Sequence, residues 1–180
     1  MTTNRSPGTA SKRFVLALVA GATALTVAGN VNADGGDDRG CRFFDGPFSS
    51  AMVGPPTCTS PVGVCTHGLL QGDFQAIYDF TMETLQSAND PNDPTEFVYT
   101  GHSTVTTPRG VMHTNDSGML HIPPGGAPAP FVTTASVVSG TGRFTGATGV
   151  FVATGKLDFA TGDSSGSYIA QICRAHDDGQ

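Results

Sequence analysis

Tryptophan is absent from this chain, charged residues make up only 13% of it, and aromatic residues only 8%. So small a charged fraction excludes a coiled coil and disfavours a helical bundle, both of which need charged outer faces. Basic residues are few, and no Lys/Arg cluster exists along the chain to neutralise phosphates, so nucleic acid is not expected as a partner. No Cys-x-x-Cys pair is present, which leaves no zinc-ribbon pattern, and no Gly-x-Ser-x-Gly segment marks a hydrolase nucleophile. After residue 28 no apolar run is long enough to cross a bilayer as a helix.

Glycine and proline are abundant instead, 24 and 12 of 180 residues, and many threonines stand beside valine or phenylalanine. Turn formers mixed with β-branched residues suit short strands and tight turns, and the length suits about one domain. At the N-terminus, Arg5, Lys12 and Arg13 precede the uncharged apolar run Phe14 to Ala28, which leads to the small-x-small sequence Val31-Asn32-Ala33. This is the pattern of a secretory signal peptide spanning 1–33, and it predicts a secreted or periplasmic protein with no membrane span after cleavage. The segment removed carries three of the nine basic residues and none of the fifteen acidic ones, leaving a net charge of −9. The six remaining basic residues, Arg39, Arg42, Arg109, Arg143, Lys156 and Arg174, are scattered along the sequence.

All four cysteines follow residue 33, and an even number in an exported chain predicts two disulfides. Three pairings exist. Cys58 with Cys65 is favoured because Thr59-Ser60-Pro61-Val62-Gly63-Val64 is a compact Pro/Gly loop, which leaves Cys41 with Cys173. Residues 34–60 are rich in Gly, Pro, Ser and Asp and read as an irregular N-terminal arm, tethered by disulfide, that packs Phe43, Phe44 and Phe48 across one end of a domain at 61–175. Residues 176–180 read as a disordered tail.

Within that domain Phe74, Ala76, Tyr78, Phe80 and Met82 alternate with Gln75, Ile77, Asp79, Thr81 and Glu83, the period of a strand with one buried face. Asn89-Asp90-Pro91-Asn92-Asp93-Pro94 is a rim loop, and Pro108-Arg109-Gly110 turns one strand-like run into the next. Asn115-Asp116-Ser117-Gly118 interrupts or bulges the following strand. Further strands are expected at Phe131 to Val138, Val150 to Phe159 and Ser165 to Cys173. Seven or eight strands without a helical segment predict an all-β fold, an antiparallel closed β-barrel of about eight strands of the calycin-like kind.

The segment Gly140-Thr-Gly-Arg-Phe-Thr-Gly-Ala-Thr-Gly149 has neither the dinucleotide glycine spacing nor a P-loop Lys-Ser/Thr. It reads as a short helical turn that plugs one barrel end with Phe144. Together with Cys58-Thr-Ser-Pro-Val-Gly-Val-Cys65-Thr, Pro108-Arg109-Gly110 and the closing Gly-Lys-Leu-Asp-Phe and Gly-Ser-Tyr-Ile segments, it resembles bacterial exported proteins of the allene oxide cyclase barrel-like group, distantly related to dirigent proteins. The resemblance covers roughly residues 57–174. It implies an eight-stranded antiparallel barrel, often oligomeric, with an internal cavity, and family enzymes that guide cyclisation or radical coupling of hydrophobic substrates by shape, without a metal. None of their catalytic residues has a counterpart among these motifs.

Candidate chemistry is sparse. His102 and His113 are expected nearly opposite each other across a hairpin, yet two imidazoles do not complete a metal site, so neither metal nor cofactor is expected. Glu83, Tyr78, Tyr99 and Tyr168 are the polar groups best suited to line an apolar cavity, with Phe80 beside them. The reading is a secreted barrel that binds a small hydrophobic molecule in its interior, with homo-oligomerisation open. A cofactor-independent cyclase or isomerase and a structural or adhesive extracellular protein remain the alternatives. A cavity above about 300 Å³ favours ligand chemistry, and a packed interior removes it.

Overall fold

Period-two alternation marks most of the strands in the computed structural model, which describes residues 40–88 and 93–174. The expected signal peptide at 1–33, residues 34–39 and the tail at 176–180 lie outside the described residues. Eight strands follow one another: β1 Cys41–Met52, β2 Cys65–Leu70, β3 Ala76–Ser87, β4 Glu96–Thr107, β5 Gly110–His121, β6 Ala129–Gly140, β7 Thr148–Leu157 and β8 Asp163–Cys173. Each pairs antiparallel with the next, and β1 pairs with β8, so the sheet closes on itself in simple meander order. Closure removes the two terminal edges that an open eight-stranded sheet would expose.

The N-terminal arm expected at 34–60 is corrected by this closure. Residues 41–52 are β1, hydrogen-bonded to β8 along eleven register pairs from Cys41–Cys173 to Ala51–Asp163, and to β2 on its other side. Alternation is present there but masked by small and turn-forming residues: Phe44 and Phe48 face inward with Gly46, Ser50 and Met52 between and beyond them, whereas Phe43 is 76% exposed. The barrel therefore begins at Cys41 rather than at 61. Both disulfides form as paired in the sequence, Cys58 with Cys65 ahead of β2 and Cys41 with Cys173 between the outer ends of β1 and β8.

A second correction concerns Asn115-Asp116-Ser117-Gly118, which does not interrupt anything. β5 runs unbroken from Gly110 to His121, and its register with β4 is continuous from Thr107–Gly110 to Glu96–His121. Partners on both sides satisfy the backbone of these four turn formers, and tertiary pairing overrides their local preference. Irregularity falls elsewhere: the β3–β4 register shifts between Met82 and Thr84, and β5–β6 shifts between His113 and Thr114.

The segment after β6 forms a single 3-10 turn, Gly142–Phe144, with Phe144 buried, as the plug reading expects. Gly142 has a φ of 59°, and Arg143 N–H donates to the Arg109 carbonyl at 2.8 Å, tying the plug to the β4–β5 turn. Above the plug Phe74 contacts Phe44, Phe144 and Phe151, with centroids 5.2, 6.1 and 6.0 Å apart. Tyr168 joins this cluster, donating its hydroxyl to the carbonyls of Gln71 and Phe74 at 2.8 and 3.0 Å. A second cluster of Val64, Met82, Tyr99, Leu120 and Ala129 fills the other end.

Candidate functional site

Between the two clusters the interior is not filled. A cavity of about 120 Å³ remains, walled mostly by apolar side chains that include Phe48, Phe80, Val105, Phe131 and Phe151. The inward face of β3 is the one that alternation assigns: Tyr78, Phe80 and Met82 line the cavity, while Ile77, Asp79 and Glu83 point outward. Tyr99 of β4 lines it as well, with its ring edge-on to Phe80 at 6.1 Å and its hydroxyl bonded to that of Thr133.

Two strand glycines set the cavity's shape by close approach. A side chain at Gly118 would strike the Tyr99 ring, its Cβ falling 2.5 Å from Cζ and the hydroxyl, and one at Gly101 would fall 2.7 Å from the Phe80 ring. The two rings lie flat against β5 and β4 because these positions carry no side chain.

Glu83 does not belong to the cavity, which corrects its sequence assignment. It lies outside, 3.1 Å from His102 Nδ1, because even-numbered residues of β3 up to Met82 face inward and Glu83 follows at the register shift. The carboxylate that does reach the interior is Asp116 on β5, 5% exposed. Ser103 donates its hydroxyl to one Asp116 oxygen and Thr114 to the other, the latter at 2.5 Å. Sequence reading missed it because Asn-Asp-Ser-Gly looks like a turn. The signal lay in parity: Met112, Thr114, Asp116, Gly118 and Leu120 share one face of an uninterrupted strand, and Met112 and Leu120 are both buried.

Burial dominates the electrostatics here. Desolvation pushes the Asp116 carboxyl above its ordinary range, partly offset by the Ser103 and Thr114 hydroxyls and by the field of His102 on the outer face. Desolvation likewise raises Tyr99 to about 12, against the Thr133 hydrogen bond, with the negative charge of Asp116 adding to the rise. Tyr78 is raised by burial too, with Ser50 and Thr66 beside its hydroxyl. Ser50 Oγ is itself buried and meets no partner at good hydrogen-bonding geometry, so its proximity to Tyr78 does not amount to a formed bond.

The raised carboxyl has a stability consequence. The folded state holds the Asp116 proton to higher pH than the unfolded chain does, so the wild type loses stability as pH climbs past about 4. Asp116→Asn removes that loss. The variant is expected to melt a few degrees above wild type at pH 7, an effect on the order of 1 kcal/mol that shrinks towards pH 4. Calorimetric scans of both proteins across that range check it, and a variant that melts lower at every pH contradicts the assignment.

The four histidines among the described residues face outward. His67 pairs with Asp79 at 2.6 Å, His113 meets Thr104 at 3.2 Å, and His102 stands opposite Asn115 rather than opposite His113. Asp93, Glu96 and His121 bring their ligand atoms within 4.8 Å of one another at one rim. Asp93 is already engaged, however: it accepts the Thr95 N–H at 2.9 Å and the Thr95 hydroxyl, which holds its carboxyl below the usual range.

Basic residues scattered in sequence converge in space. Arg143 in the plug is tied to Arg109 of the β4–β5 turn, and Arg42 and Arg174 adjoin the bridged Cys41 and Cys173 at the same end; the charge of Arg174, then desolvation, then Arg109 and Arg42 lower the Arg143 pKa. Arg42 also lies 5.6 Å from the Phe44 ring centroid.

Comparison with family models, with curated proteins and with solved structures finds no match for this chain. Fold and site therefore define its class by themselves: a disulfide-bonded, eight-stranded antiparallel meander barrel with a small, mainly apolar cavity that holds one buried carboxylate. Among the described residues no helix is long and apolar enough to cross a membrane.

Proposed function

We propose that this protein is an exported barrel that binds a small, largely apolar molecule in its interior. The observation that carries the reading is the cavity itself, an unfilled space of about 120 Å³ with mainly apolar walls that Tyr78, Tyr99 and Asp116 also line. A fully packed interior would have suited a structural role alone. The volume is below the roughly 300 to 1,000 Å³ of sites for drug-sized ligands, and nearer the ~150 Å³ cavity that accepts benzene. The ligand is accordingly a single ring or its equivalent, smaller than the sequence reading anticipated. The N-terminal signal pattern and the two disulfides support export, since such bridges persist in oxidising compartments.

Toluene tests the reading directly. It is expected to bind the purified mature protein and raise its melting temperature. Ala135→Leu or Ala153→Val, each adding methyl groups to the cavity wall, should abolish that rise while leaving the protein folded. Equal responses from wild type and both variants would show that toluene binds elsewhere, and no response from wild type would remove the proposal.

Asp116 favours a second reading, a cofactor-free isomerase or cyclase. A buried carboxyl with a raised pKa, near a tyrosine hydroxyl on a cavity wall, is what acid-base chemistry on an enclosed substrate requires. The resemblance of Gly140 to Gly149 to the allene oxide cyclase barrel-like group supports this alternative. Turnover of compounds recovered from the protein, lost in Asp116→Asn, would establish it over simple binding.

A further inference from the structure

We propose that the cavity selects a compact organic cation, a primary ammonium group carried on a single ring, with Asp116 as its counter-ion. This rests on the binding reading above and names the ligand class for that same site. Asp116 is buried, yet no arginine, lysine or histidine is among the residues that line the cavity. A carboxylate withdrawn from water without a cation is costly, and two neutral hydroxyl donors only partly offset this.

The hydrogen-bond inventory indicates which ligand group completes the site. Ser103 and Thr114 lie at hydrogen-bond distance from opposite oxygens of Asp116, and both donate to it when the carboxylate is ionised against a bound cation. The two hydroxyls nearest Asp116 are thereby engaged, and Tyr99 and Thr133 are bonded to each other. The Ser50 and Tyr78 hydroxyls on the wall can serve a neutral ligand, but Asp116 is the one charged acceptor of the lining, and its remaining lone pairs suit an ammonium, which supplies three donors. Phe80 and Tyr99, edge to face beside the carboxylate, add aromatic surface that attracts a cation and packs against a ring. Titratable groups around Asp116 on the neighbouring strand β4 are the neutral Tyr99 and, on the outer face, His102, whose own position in solvent prevents it from serving as the buried partner.

Benzylamine, benzyl alcohol and toluene are nearly equal in size and differ in the group presented to Asp116. Titration calorimetry and ligand-observed NMR at pH 7 on the mature protein are expected to show benzylamine binding at least about tenfold tighter than benzyl alcohol, the scale of one charge-assisted contact. Asp116→Asn, verified as folded by its melting curve, should erase that preference. Benzyl alcohol binding wild type as tightly as benzylamine does, or a preference that survives in the Asn variant, overturns the proposal. If toluene binds and the amine has no advantage, the cavity reading stands and only the cation assignment fails; if none of the three binds, both fail.

Discussion

Phe80→Asp abolishes cooperative folding of the barrel, whereas Ile77→Asp on the same strand shifts stability by no more than about 1 kcal/mol. The contrast follows from parity alone. Phe80 forms part of the cavity wall and packs over Gly101, the register partner of Asp116. Removing a buried ring costs about 3 to 5 kcal/mol, and a new carboxylate in its place adds desolvation and repulsion from Asp116. Together these approach the roughly 5 to 15 kcal/mol that holds a domain of this size. Ile77 is 42% exposed on the outer face, where aspartate stays in water. Thermal melts of the two variants decide the matter: a Phe80→Asp protein within a degree or two of wild type would mean that the inward face of β3 is wrongly assigned.

Opening the bridge between Cys41 and Cys173 is expected to lower the melting temperature by roughly 10 to 20 °C, more than opening the one between Cys58 and Cys65. The first closes a separation of 132 residues and the second only 7. Chain entropy assigns them about 4 to 5 and about 2 to 2.5 kcal/mol respectively. The long bridge also sits at the seam where the barrel closes, since Cys41 and Cys173 are register partners on β1 and β8. Calorimetry of the Cys41→Ser, Cys173→Ser double variant against the Cys58→Ser, Cys65→Ser one tests the order. A reversed order, or a loss of only a few degrees for the long bridge, would show that the β1–β8 ladder holds without it.

Much of this architecture is legible along the chain where alternation is strong and sterically simple. β3 is the clearest case, with Ala76, Tyr78, Phe80 and Met82 inward, Phe74 just before it in the same parity, and polar or exposed residues between them. The plug at Phe144 and the two-residue turn at Pro108-Arg109 are equally local, because glycine and proline impose their conformations within a few residues. β1 was hidden because its inward positions include Gly46 and Ser50, which carry too little hydrophobicity to reveal a buried face. Glu83 is the opposite case: its assignment to the cavity ran against the alternation that already sets it on the face opposite Met82, and the structure keeps it there.

The N-terminal apolar pattern, the all-β composition, the even cysteine count with its favoured Cys58–Cys65 loop, and the inward face of β3 were legible in the sequence itself. Each depends on residue type or on spacing within a short window. Tertiary structure alone decided the closure of β1 onto β8, the gathering of four arginines at one end, and the burial of Asp116 between Ser103 and Thr114. These depend on pairings between distant segments, in which backbone hydrogen bonds to both neighbouring strands carry Asn115 to Gly118 through as extended chain against their local turn preference. Once that strand is continuous its side chains must alternate, and alternation turns the Asp116 carboxylate inward to face the cavity.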